Sequence, residues 1–361
     1  MRAPELLEGG LLERFGRGVD APLPESEFNR LALEVFEYQF ERNAPYRHFC
    51  RVRGMTPEAA GDWRDVPALH TSAFKEIDLA TVPPEEVRVE YRTSGTSRGK
   101  QKPGRHLLPD AELYDASLRP NFKAHVLADA AAMRILVFGP TARYFPHSSL
   151  GHMHSAVMEE FGASGSGVFW DDGGPRITGL AAALRKAEEE GVPVCLLGTV
   201  LGFLQLLDWL REEGRRFRLP PGSRIMDTGG YKGLRREIPR AELYARYEEA
   251  LGLPESHVVN EYGMTELASQ FYDQVLRIPG VRAKRPPPWA RVLVVDPESL
   301  APLPRGKVGL LRFFDLANLH TVAAIQSDDL GVWEDDGFEI LGRASGAEPR
   351  GCSLAAEEPA S

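Results

Sequence analysis

Apolar positions change their spacing several times along the chain. Phe28, Leu31, Val35, Phe36 and Phe40 fall near helical spacing, so residues 26–43 are expected to form an amphipathic helix with a polar outer face. Residues 54–86 are rich in Pro, Asp and Glu and read as short turns or helices. From residue 87 the period shortens. Val87, Val89 and Tyr91 alternate with charged residues, which predicts a strand. Arg134–Phe138 and Gly167–Trp170 read as further strands. The run LAAALRKAEEE (180–190) predicts a helix ended by Gly191 and followed at once by the apolar VPVCLL. Residues 200–213 form another helical run around Trp209, and short strands at Arg224–Met226 and His257–Asn260 flank a charged helix over 239–251. Strands alternating with helices at this spacing predict a mainly parallel sheet covered by helices. After Pro286–Pro288 the helical period stops. Arg291–Val295, Val308–Phe314, Val322–Ile325 and Phe338–Leu341 predict a β-rich last quarter.

No internal repeat and no Gly/Ser linker divides the chain. A single domain is expected, with a helical part over 1–86, an α/β part over 87–288, a β-rich part over 289–354 and a tail at 355–361 without fixed structure. Its 361 residues are enough for a large core, and a formal net charge of -9 lacks the basic footprint of a general nucleic-acid binder. A local nest of backbone amides can still bind phosphate on an acidic protein. No apolar window is long enough to span a membrane, and the N-terminus does not read as a secretory signal. Cys50, Cys195 and Cys352 are far apart and form no CxxC, so neither a zinc ribbon nor a disulfide framework is suggested, and a cytoplasmic location is expected.

Three loops could carry chemistry. The first, TSGTSRGK (93–100), has the glycines and hydroxyls to wrap backbone around a phosphate. It is no Walker A loop, because Gly95 and Gly99 are three residues apart and no Ser or Thr follows Lys100. A plain polar turn is the competing explanation. The second, NEYGMTELASQ (260–270), follows an apolar strand, and a helix is expected beyond it. Tyrosine, hydroxyl and carboxylate at a strand end could stack a base, bond a phosphate and hold Mg²⁺. Equally, Thr265 or Asn260 could cap that helix, with Glu266 in its first turn. The third is SDDLG (327–331) with GFEILGRASG (337–346). An Asp after a strand suits ribose hydroxyls, and a β-turn explains it as well. His147, His152 and His154 lack a carboxylate or cysteine partner at familiar spacing, so no metal site is expected there. Nothing in their spacing supports a role near a substrate carboxylate.

Taken in order, TSGT, YGMTE, DLG and Gly342-Arg343 resemble the motifs of the adenylate-forming superfamily, which includes acyl-CoA synthetases. A closer resemblance, across nearly the whole chain, is to the LuxE family of acyl-protein synthetases. It rests on Gln39, Asn43, Tyr46 and Cys50 in the N-terminal helical part, the TSGT loop, DTGGYKG (227–233), NEYGMTE and the ending RGCSL (350–354). The resemblance implies an α/β adenylate-forming fold: a large acyl-CoA synthetase-like domain with mainly parallel sheets flanked by helices and a β-rich C-terminal part. It implies ATP and Mg²⁺ as cofactors, a carboxylic acid, in the family a fatty acid, as substrate, and an acyl reductase or carrier protein as acceptor.

The resemblance also implies roles. Thr93, Ser94, Gly95, Thr96 and either Lys100 or Lys102 would cradle phosphates, and Thr265 would bond the α-phosphate. Glu266 would help hold Mg²⁺. Thr228, Gly229 and Gly230 would line the adenine pocket, with Tyr262 and Gly263 against the base. Asp329 would hold the ribose, and Arg343 would sit near ribose or phosphate. Cys352 matches the cysteine that carries the acyl group as a thioester in the family, and Arg350 nearby would favour its thiolate. Cys50 and Cys195, in apolar patterns, are expected to be buried and unreactive. Two departures stand out. The phosphate loop lacks the usual second Thr-Gly pair, and the chain stops soon after GRASG, without the superfamily's mobile C-terminal domain and its lysine. A truncated ligase serving coenzyme A or a carrier protein, and a non-catalytic nucleotide- or lipid-binding relative, are the competing readings.

Overall fold

The computed structural model describes residues 4–93, 102–229, 238–335 and 337–344. They divide into two compact units: the described residues of Phe122–Gly263 with Tyr272–Arg282, and those of Met1–Asn121, Met264–Phe271 and Ala283–Glu348.

The first of these units is built on parallel strands in the order Gly167–Val168, Arg134–Phe138, Val194–Thr199, Arg224–Thr228 and Val258–Tyr262. Val194–Thr199 is buried at every position. That is the pattern of a central parallel strand with both faces covered, and it explains why its residues are continuously apolar. The connecting helices are Ser149–Phe161, Ile177–Glu190, Val200–Glu212 and Arg240–Leu251. Two of them start where a hydroxyl meets an otherwise unpaired helical N–H. Ser148 Oγ accepts from Gly151 at 3.0 Å, and Thr199 Oγ1 accepts from Gly202 at 3.0 Å. Gly191 closes the second helix at φ 64°, the left-handed turn that glycine adopts without strain. Leu136, Leu196, Phe203, Ile225, Tyr247 and Val258 meet in its core. The expected strand at Gly167–Trp170 is two: Gly167–Val168 joins the main sheet, and Trp170–Asp171 pairs with Gly174–Pro175 in a hairpin.

The second unit opens with helices Pro4–Gly16, Glu25–Arg42 and Ala44–Val52. Its main sheet runs Leu69–His70, Ala324–Trp333, Val308–Asp315 and Ala290–Val295, with Phe338–Arg343 also paired to Ala324–Trp333. All neighbours are antiparallel except the first pair. A hairpin of Val89–Arg92 and Arg105–Leu108 stands apart. The strand expected at Val322–Ile325 begins at Ala324 and continues to Trp333. It therefore runs through the DDLG segment, and Asp329 lies within a strand rather than after one. The N-terminal helical part is tied by amides to the connection between Val308–Asp315 and Ala324–Trp333. Gln39 Nε2 donates to the carbonyls of Asn318 at 2.8 Å and Leu319 at 3.1 Å, and its Oε1 accepts from Ala323 N–H at 3.1 Å. Asn43 Nδ2 donates to Thr321 O at 3.2 Å. Among the described residues no helix is long and apolar enough to cross a membrane.

Leu196, fully buried at the centre of the parallel sheet, gives a direct check. Leu196→Ala should lower stability by about 2–5 kcal/mol, the cost of lost transfer plus a cavity. Urea denaturation measures it, and a loss below about 1 kcal/mol would contradict the central placement of this strand.

Candidate active site

In the parallel-sheet unit the candidate residues stand at the carboxyl ends of adjacent strands, where ligands of α/β proteins gather. Thr228 is in register with Glu261, and its hydroxyl donates a short hydrogen bond to the Glu261 carboxylate. Both are buried. One residue earlier, Asp227 accepts from Asn260 Nδ2 at 2.7 Å and from the Tyr247 hydroxyl at 3.3 Å. Burial pushes the Tyr247 phenol well above its usual range, so it stays a donor. Gly229 follows at φ 96°, a turn that suits glycine. Tyr262 and Gly263 are half-buried.

Sequence spacing did not single out His154 for any role in this unit. It is fully buried, and its Nδ1 donates to the Pro140 carbonyl at 2.8 Å. Nε2 makes no hydrogen bond. Burial pulls its pKa down to about 4, so the ring is neutral. His147 is exposed. Among the described residues no cluster of three or more His, Cys, Asp or Glu is arranged to hold a metal ion.

In the other unit the segment after Gly263 is not helical. Residues 264–270 form turns and irregular backbone. The reading of Thr265 or Asn260 as a helix cap is therefore removed. The physical reason is that the backbone groups a helix would use are engaged elsewhere. Ala268 N–H donates to Asn318 Oδ1 at 2.8 Å, and Ser269 N–H donates to Asp315 Oδ2 at 2.8 Å. The Glu266 carbonyl accepts from Asn318 Nδ2 at 2.8 Å. The Thr265 carbonyl accepts from His106 Nδ1 at 2.6 Å, and His106 Nε2 lies 3.1 Å from Thr321 Oγ1. Burial lowers the His106 pKa to about 4. Asp315 is pushed up to about 6 by burial, against the pull of Ser269, Ala268 and Ala317 donors. Glu266 is buried and Thr265 half-buried.

Asp329 and Arg343 face one another in register across the antiparallel pair and are brought together here. Arg343 Nε is 3.3 Å from Asp329 Oδ1, and its Nη2 donates to Asp328 Oδ2 at 3.2 Å. His70 Nε2 meets the other Asp328 oxygen at 2.9 Å. The antiparallel pairing makes this contact, so the third loop is a strand pair and not a β-turn. Thr93 follows the strand Val89–Arg92, and its Oγ1 accepts from Gly104 N–H at 2.7 Å. Lys102 is exposed. Ser94, Gly95, Thr96, Lys100, Gly230, Arg350 and Cys352 lie outside the described residues. Cys50 and Cys195 are buried as expected. Burial raises their thiols to about 11 and about 12, so neither is a ready nucleophile.

The chain is similar to an open conformation of 2-hydroxyisobutyryl-CoA ligase solved with 2-HIB-AMP and CoA, at TM-score 0.68 and 18% identity over 90% of this chain and 72% of that one. Its fold is that of the adenylate-forming ligases. The sequence profile described as "Acyl-protein synthetase, LuxE" matches residues 24–360, and the chain belongs to this family of ligases. Two relatives bear the name long-chain-fatty-acid–luciferin-component ligase. The one from Vibrio harveyi is 26% identical over 337 residues, covering 90% of this chain and 86% of its own. The one from Aliivibrio fischeri is 23% identical over 343 residues, with the same coverage.

The two buried imidazoles give a pH prediction. Each folded pKa, about 4, lies below the usual value near 6.5, so between these values the unfolded chain holds more protons. Their contribution is present above about pH 6.5 and is lost as pH falls towards about 4. Asp315, raised to about 6 from 3.8, works in the opposite direction over part of this window, one group against two. The urea midpoint should therefore fall from pH 7 to pH 5. An unchanged or higher midpoint would show that the imidazoles are not held neutral.

Proposed function

We propose that this protein uses ATP to activate a carboxylic acid as an acyl-adenylate and then carries the acyl group on Cys352. The observation that carries this reading is the family match over residues 24–360, which spans every motif from TSGT to RGCSL. The pairing of Asp329 with Arg343, and the removal of the helix-cap alternative for Thr265 and Glu266, support it. The names of the two relatives support a long-chain fatty acid as substrate and a luciferin component as acceptor.

A carboxylate is a poor acyl donor because its leaving group would be oxide. In the proposed first step a carboxylate oxygen bonds to the α-phosphorus of ATP, and the bond to the β-phosphate oxygen breaks to release pyrophosphate. The protein must bring two anions together, which calls for positioning and for donors aimed at phosphate. Ser94, Gly95, Thr96 and Lys100 or Lys102 would supply those donors, and Thr265 would bond the α-phosphate. Thr228, Gly229, Gly230, Tyr262 and Gly263 would receive adenine, and Asp329 with Arg343 the ribose end. Mg²⁺ commonly takes one or two carboxylates plus substrate phosphates and keeps several waters, so a lone carboxylate suits its donor set. Glu266 would hold it, and when bound the ion would neutralise phosphate charge. In the second step the Cys352 thiolate would bond to the acyl carbon, AMP would leave, and the thiol proton would pass to solvent.

The test is acid-dependent exchange of labelled pyrophosphate into ATP, across a panel of carboxylic acids of different chain length. Exchange is expected with long-chain fatty acids. Glu266→Gln, which keeps the shape and removes the charge, should lower it by about 10²-fold or more, the scale for loss of one preorganised charge-stabilising group. A folded wild-type protein that exchanges with no acid would sink adenylation, and a fully active Glu266→Gln would remove the metal role.

Cys352→Ser separates the two steps. Pyrophosphate exchange should persist, while a hydroxylamine-sensitive acyl label on the protein should vanish, because a serine hydroxyl is far less nucleophilic than a thiolate. Label retained on Cys352→Ser would place the thioester on another cysteine. A wild type that never takes label but turns over faster with coenzyme A would identify a ligase serving that acceptor.

A further inference from the structure

We infer that His106 is a positioning residue that holds the Thr265–Glu266 segment in one conformation, an inference that rests on the adenylation reading for its catalytic consequence. His106 lies on the strand Arg105–Leu108 and is fully buried. Phe74 and Tyr91 meet its ring edge-on, with centroids at 6.0 Å and 6.5 Å. These contacts fix the plane of the imidazole, so its two nitrogens point in set directions.

The partners decide the tautomer. The Thr265 carbonyl can only accept, so Nδ1 carries the proton across the 2.6 Å contact. In the neutral ring Nε2 is then an acceptor, and the Thr321 hydroxyl 3.1 Å away is its donor. Burial keeps the ring neutral, in agreement with this assignment. Thr321 is itself held, since its N–H donates to Asn318 O at 3.1 Å and its carbonyl accepts from Asn43 Nδ2 at 3.2 Å.

Asn318 completes the clamp. It donates to the Glu266 carbonyl at 2.8 Å while His106 donates to the preceding one. Two consecutive carbonyls are thus pinned by side chains, which blocks rotation of both peptide planes. With those planes set, the Cα–Cβ bonds of Thr265 and Glu266 leave the chain in fixed directions. A segment with neither helical nor sheet hydrogen bonds at these residues needs such outside partners. His106 supplies the one nearest Thr265. Its role is therefore to place Thr265 and Glu266.

The experiment compares His106→Leu, which keeps bulk and loses both hydrogen bonds, with His106→Asn, whose amide can donate near the position of Nδ1. Two readouts are taken on the full chain: steady-state pyrophosphate exchange, and amide hydrogen exchange of a peptide covering 264–272. His106→Leu should lower kcat by about 10–10²-fold, the scale for a small displacement of reacting groups, with KM for ATP changed by no more than about threefold. His106→Asn should recover most of that loss. The peptide should exchange faster in His106→Leu and return towards wild type in His106→Asn. If His106→Leu does not fold, Thr321→Val, which removes only the hydroxyl that orients the ring, should show the same two effects in smaller measure. Wild-type exchange by every variant, or equal loss in the Leu and Asn variants with an unchanged amide pattern, would overturn the inference. If the wild type itself exchanges no pyrophosphate, adenylation fails, and the amide pattern alone still decides whether His106 holds the segment.

Discussion

Buried backbone without helix or strand partners must find them elsewhere, and the 264–270 segment shows what that requires. One carboxylate, Asp315, accepts from Ala268 N–H, Ser269 N–H, the Ser269 hydroxyl and Ala317 N–H. One amide, Asn318, both donates to Glu266 O and accepts from Ala268 N–H. The Ser269 hydroxyl continues the network to Ser117, which accepts from the Trp289 indole at 2.8 Å. Leaving any of these buried groups unpaired costs about 1–3 kcal/mol, so the cluster is strongly interdependent. The motif segment keeps its shape because these partners hold its backbone.

The same constraint accounts for the N-terminal helices. Gln39 holds Asn318 O, Leu319 O and Ala323 N–H, and Asn43 holds Thr321 O. These amides brace the turn that carries Asn318 and Thr321, which in turn brace Glu266 and Thr265. Gln39, in the helix Glu25–Arg42, and Asn43, at its end, thus serve the motif segment from a distant part of the chain. Asn43 also caps the next helix through its Oδ1, which accepts from Tyr46 N–H at 3.1 Å. One residue therefore starts a helix and fixes a distant turn.

Titration is arranged differently among the groups that look reactive. The buried thiols of Cys50 and Cys195 are raised by burial and stay protonated at neutral pH, and the buried rings of His106 and His154 stay neutral. Burial disfavours the charged form in every case. Arg343 is paired with Asp328 and Asp329. In the parallel-sheet unit, Thr228 and Glu261 meet because parallel register places them side by side.

Much of the architecture was legible in the sequence. Apolar spacing reports which face of an element is buried, so the helices over 25–42, 177–190, 200–212 and 240–251 and the strand after Gly191 followed from it. The motif order led to the family for a related reason: each loop is short and contiguous. The helix expected after EYGMTE did not form, and Asp329 proved to lie inside a strand. His106 gave no local signal at all. Its partner Thr265 is 159 residues away, and Ala268 is 50 residues from Asn318. Local pattern determined which residues fold into helices and strands, because side-chain burial repeats with the backbone period. Tertiary structure alone decided how the irregular segment is held, because its hydrogen-bond partners are side chains from distant parts of the chain, and no period relates them.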